Sequence, residues 1–149
     1  MKEIVWEGYI CDLYDLSEYL RGEVKWDKVN KKKVRFLVDT GASKSIVLED
    51  TISGLRTIEM GKTTAQGVCD KPTKFRVTLL GIAISLDDEI DASIHEVLVP
   101  IEEKVEQKLQ ELFTHTNTSA ILGRLSMDSL EIRIHPKTLQ PTKIPTLLL

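Results

Sequence analysis

In the stretch FLVDTGASKSIV, residues 36–47, one carboxylate, Asp39, interrupts an apolar run and is followed by Thr40, Gly41 and Ala42. Phe36-Leu37-Val38 and Ile46-Val47 are core-like, so a tight loop between two buried strands is expected to hold Asp39 in the interior. An unpaired buried carboxylate is costly, and sites that accept such a cost are candidates for acid–base chemistry. A strand-end turn is the plainer reading of Asp-Thr-Gly, and the apolar flanks weigh against it. Other reactive side chains are worse placed. His95, His115 and His135 lie 20 residues apart without a paired ligand, unlike a zinc site, and read as surface or capping residues. Asp87, Asp88, Glu89 and Asp91 lack the glycine and spacing of a calcium loop and read as a solvated hairpin turn. Ser43, Ser45 and Ser126 have no GxSxG context.

The elements that must position Asp39 are mostly short strands. Lys2 to Cys11 alternates, with Ile4, Trp6 and Ile10 on one face. Asp12 to Arg21 is open between a short helix capped by Asp12 and an irregular excursion. Lys31-Lys32-Lys33 reads as a solvated turn, and Lys33 to Asp39 as an apolar strand. Gly61 to Gly67 reads as a turn region feeding a long strand, Lys74 to Leu86. With Ile94 to Pro100 this makes a central β-meander. From Pro100 to Phe113, Ile101, Val105, Leu109 and Leu112 form an apolar stripe at helical spacing, with Pro100 suited to the first turn. A polar loop, Thr114 to Ser119, precedes AILGRLSMDSLEIRIHPKT: an apolar strand reaching Gly123, a short helical segment, and a last strand from Leu130 to Ile134. Gln140 to Leu149 carries Pro141 and Pro145 and reads as a tail or a proline-interrupted edge strand.

The chain has 149 residues and 42% hydrophobic content, enough for one globular domain with a core. A net charge of −3 gives no general attraction to nucleic acid. Cys11 and Cys69 form neither a disulfide framework nor a CxxC pair, which suits a reducing compartment. No apolar run approaches membrane-spanning length, and charges interrupt the N-terminus where a signal peptide needs its apolar core. A cytoplasmic protein is expected, with no nucleic-acid or membrane partner.

Phe36 to Ser43 resembles the active-site loop of the aspartic proteases, specifically the single-domain retropepsin-like branch. Ala120-Ile121-Leu122-Gly123-Arg124 is similar to that family's apolar-apolar-Gly strand with following Arg, which packs beside the catalytic loop. Leu125 to Ile134 and His135 to Thr138 look like the family's closing helix, strand and turn. The likeness covers about Val34 to Thr138. Within one domain spanning 1–149, residues 1–32 read as an N-terminal elaboration and 140–149 as a C-terminal tail or interface strand.

The resemblance implies an all-β, retropepsin-like closed barrel with one or two short helices, assembled as a homodimer. Hydrolysis without metal, cofactor or covalent intermediate needs a base for water and an acid for the carbonyl oxygen, and two close carboxylates sharing one proton supply both. One DTG per chain supplies half of that pair, so Asp39 from each subunit would meet across a two-fold axis. Thr40 would cross-link the two loops, Gly41 would let the substrate backbone approach, and Ala42 and Ser43 would line the cleft. Leu122, Gly123 and Arg124 would support the loop, Gly123 by permitting close packing. Thr63 to Val68, with Gln66, Gly67 and Val68 near the tip, is the candidate flap; a surface hairpin without catalytic role fits equally. Cys69 falls in the same segment. Retroviral members pair the Arg of the second motif with an acidic residue four positions after the aspartate. Ser43 stands there, so Arg124 needs another partner. The partners expected are a second copy and a peptide or protein substrate, with apolar side chains around the cut bond and activity biased to acid or mildly acid pH. Since a fold does not guarantee its chemistry, a non-catalytic or self-processing dimerisation or peptide-binding module is the alternative.

Overall fold

The computed structural model describes residues 3–66 and 71–144. Strand β1 (Val5–Cys11) turns Trp6 and Ile10 into the core. It pairs antiparallel with β2 (Lys31–Val38), and also with β5 (Thr73–Leu86). The sheet runs β1, β2, β7 (Ala120–Leu122), β3 (Ser45–Val47), β6 (Glu89–Pro100), β5 and β4 (Ile58–Ala65). The β1–β5 pairing closes six of these strands into a barrel, leaving β4 outside as an arm on β5. β5 and β6 form the expected meander, and β4 extends it by pairing antiparallel with β5. A small separate pair, β8 (Ile132–Ile134) with β9 (Pro141–Lys143), follows. The protein is thus mostly β, and no helix among the described residues is long and apolar enough to cross a membrane.

Strand alternation explains how the apolar stretches are divided. Val47, Val97, Val99, Ala120 and Leu122 face the barrel interior with Trp6, Phe36, Leu80 and Ile82. Their neighbours Ile46, Leu98 and Ile121 point outward and are covered by helix α3 (Glu103–Thr116) through Val105, Leu109 and Phe113. Both faces of β3, β7 and the Val97–Pro100 end of β6 are therefore buried, which is why these stretches read as continuous apolar runs. Burial of each α3 anchor is worth about 1.5–3 kcal/mol.

Several elements differ from the sequence reading. Four α-helical segments are present among the described residues, not one or two. Asp12 to Arg21 resolves to helix: α1 (Leu13–Leu20) is capped by the Asp12 carboxylate, which accepts from the Asp15 amide at 3.0 Å. The four-residue α2 (Glu49–Ile52), too short to carry periodicity, is new, and α4 (Arg124–Ser129) is the short helix expected after Gly123. Pro100 ends β6, opposite Phe75, and does not begin α3; a proline at a strand end forfeits little pairing. At its other end α3 runs past Phe113 into the expected loop, stopping where Asn117 turns left-handed at φ 54°. Lys31, Lys32 and Lys33 open β2 because they pair with Cys11, Ile10 and Tyr9; the Lys31 ammonium also lies 4.7 Å above the Trp26 ring. Ile58–Ala65 is strand, with a register shift between Glu59 and Gly61, and it runs into the Gly61 to Gly67 stretch where a turn was expected. His95 is buried, its Nε2 2.7 Å from Ser93 Oγ, and burial pushes its pKa down to about 4. His135 is a cap as expected, Nδ1 accepting from the Lys137 and Thr138 amides. Cys11 is a buried thiol pushed up to about 12 by burial, hence unreactive.

Candidate active site

The loop 39–44 joins β2 to β3, yet these two strands do not pair with each other. β7 lies between them, parallel to β2 and antiparallel to β3. The loop must therefore arch over the end of β7, and this threading sets its shape. The Asp39 amide continues the β2–β7 ladder by donating to Leu122 O at 3.0 Å. The Ala42 amide then donates to Asp39 O at 3.1 Å, closing a turn over Thr40 and Gly41. Within that turn the Gly41 amide donates to Asp39 Oδ1 at 2.9 Å, aiming the carboxylate. A Cβ on Gly41 would lie 3.2 Å from the same oxygen, so a larger residue would crowd it.

The far side of the loop is anchored on α4. Its first amides, Arg124 and Leu125, donate to Ala42 O at 2.8 Å and Ser43 O at 2.9 Å, which satisfies donors that a helix start leaves open. Gly123 sits where a Cβ would be 2.5 Å from the Lys44 carbonyl carbon and 2.6 Å from its oxygen. Only glycine allows this approach, matching the close packing expected there. Beneath it, Ser45 Oγ accepts from the Gly123 amide at 3.0 Å and shares a 2.6 Å hydrogen bond with Ser126 Oγ. Both serines are buried. Sequence reasoning weighed them only as nucleophiles and missed this role. The available signal was Ser45, a lone hydroxyl in a strand whose other residues are apolar.

Asp39, Thr40 and Gly41 are exposed, contrary to the interior position expected for the carboxylate. β2 ends at Val38, so the loop stands on the barrel rim and not inside it. The Thr40 hydroxyl has no hydrogen-bond partner among the described residues. The Arg124 side chain is likewise exposed, without hydrogen bond or ion pair among the described residues.

A two-lobed cleft flanks the loop. One lobe, about 240 Å³, has Gly41, Ala42, Ser43, Ile46, Phe75 and Leu98 on one side, and Thr63, Thr64, Ala65 and Gln66 from the β4 arm on the other. The second, about 510 Å³, contains Asp39 and is bounded by Ile46, Ile121, Gln66 and the α3 residues Lys108, Leu109 and Leu112. The α3 wall was not foreseen, because its residues read as a packing stripe. Gly67, Val68 and Cys69 lie outside the described residues, between the ends of β4 and β5.

Chemically, the rim offers a carboxylate with one lone pair engaged by the Gly41 amide and no other partner among the described residues, beside the two-lobed cleft. The sequence matches no protein-family model and has no significant match among curated proteins.

Proposed function

We propose that the chain is a retropepsin-like aspartic endopeptidase acting as a homodimer. The observation that carries this reading is the exposed Asp39 loop, arched over β7 and pinned by Leu122, Gly123 and α4, beside a cleft faced by the β4 arm. Two such rims meeting about a two-fold axis bring the Asp39 carboxylates together. One, ionised, takes a proton from water while the other, protonated, donates to the substrate carbonyl oxygen. The shared proton belongs to the pair. Thr40, whose hydroxyl has no partner among the described residues, bonds the opposite loop. The β4 arm with Gln66 closes over a substrate lying extended in the cleft. Acid or mildly acid conditions favour the half-protonated pair.

The alternative, a peptide-binding or self-processing dimer module, is favoured by one observation: Arg124 has no acidic partner, so a contact that would brace the rim is absent among the described residues. Cleavage of a mixed peptide library from about pH 3 to about pH 7, comparing wild type with Asp39→Asn, separates the two. Turnover in wild type that disappears in the variant supports the enzyme. Equal cleavage in both contradicts it, and binding without turnover supports the module.

A further inference from the structure

Helix α3 spends Val105, Leu109 and Phe113 on packing against Ile46, Leu98 and Ile121. Leu112 is outside both major core clusters and remains 37% exposed. Core packing does not account for it, yet it borders the 510 Å³ lobe that contains Asp39. The other lobe is less than half that volume, with Ala42, Phe75 and Leu98 among its lining residues.

Resting on the proposed role of Asp39, we infer that Leu112 is a specificity-determining residue: it receives a large apolar side chain from an extended peptide whose backbone passes Asp39. Successive side chains of an extended strand point to opposite sides. The two lobes share Gly41, Ala42, Ile46 and Gln66, so neighbouring side chains of the peptide enter different lobes. The preferred segment pairs a Leu-, Met- or Phe-sized residue in the α3 lobe with a smaller one, such as Ala or Val, in the β4 lobe. Because α3 is anchored through other positions, Leu112 varies this preference without opening the core.

The test is affinity selection of a randomised octapeptide library on wild type, Leu112→Ala and Leu112→Glu, each carrying Asp39→Asn so that bound peptides survive. The same Leu112 changes are profiled for cleavage without the Asp39 change. Melting midpoints within about 2 °C of the parent establish that the fold is kept. At one peptide position, Leu112→Ala is expected to reduce the preference for Leu or Phe over Ala about 10-fold, and Leu112→Glu to shift it toward Lys or Arg. Profiles unchanged at every position overturn the inference, as does Leu112→Glu weakening self-association while leaving the profile intact. Binding that shifts as expected without any wild-type cleavage supports the inference and contradicts the protease reading. Cleavage with an unshifted profile does the reverse, and absence of peptide binding contradicts both.

Discussion

Asp12 and Asp39 occupy matching places in the chain and opposite physical states. Each follows directly on a barrel strand, β1 or β2, and those strands are partners. Asp12 is 2% exposed, and both its oxygens are engaged: by the Asp15 amide, by the Arg56 amide at 2.8 Å, and by Arg56 Nε and Nη2 at 2.9 and 3.1 Å. Burial alone would raise its pKa; the Arg56 side chain and the two amides outweigh that and hold the carboxyl below its ordinary value. Asp39 is exposed and, among the described residues, its carboxylate accepts only from the Gly41 amide in its own loop. A carboxylate saturated by its own chain is committed to structure. One left open on a rim is available to water, substrate or a second copy.

The strongest way to break this contrast is Asp39→Asn. It is expected to lower peptide cleavage by about 10³-fold or more while moving the melting midpoint by no more than about 2 °C; a large midpoint shift would make Asp39 a structural residue like Asp12. Acid supplies the next largest effect. The pKa of buried His95 is about 4 in the folded chain, against 6.5 ordinarily, so between those values the unfolded chain binds a proton that the folded chain refuses. Stability therefore rises with pH across that window and is lost on acidification from 6.5 to 4, by about 3 kcal/mol. Denaturation at stepped pH measures this, and His95→Gln should flatten the slope. Asp12 contributes in the same sense but at lower pH: its lowered pKa adds stability that persists through this window and is lost on acidification below its ordinary value. The protein should then work best in mild acid, bounded below by His95.

Gly123→Ala joins the two regions of the comparison, because it forces the Lys44 backbone to move and drags the Asp39 loop with it. A loss of about 2–3 kcal/mol in stability is expected, together with reduced cleavage by the molecules that remain folded. Asp12→Ala is the converse of Asp39→Asn. It removes a helix cap and the bonds to Arg56, costing about 2 kcal/mol by denaturant titration, with cleavage per folded molecule unchanged. Lost cleavage at full stability would show that the two aspartates are not divided in this way.

The loop itself was legible because its requirements are local. A loop arching over a buried strand needs small residues after Val38, apolar strands on both sides, and glycine where Gly123 meets Lys44. Each leaves its own mark in the letters. The meander was legible by alternation. What was not legible depends on which way a surface faces. Asp39 looked interior because its neighbours are apolar, but whether a strand end lies inside a barrel or on its rim is set by closure between β1 and β5, far away in sequence. His95 looked exposed because one histidine carries no burial signal; its facing follows from the β5–β6 register. β4 has no buried residue, so it offers no alternation, and its part from Gly61 onward read as a turn. Ser45 and Ser126 meet across 81 positions, which no local pattern can announce.

The central claim is that one site is built from two chains. Wild type and Asp39→Asn are mixed in equal amounts, allowed to exchange subunits, and assayed against wild type alone at the same total concentration. If both carboxylates are needed, only wild-type pairs are active and activity falls to about one quarter, as random pairing requires. Activity at about one half, proportional to the wild-type chains present, would mean that each chain acts alone and would contradict the account.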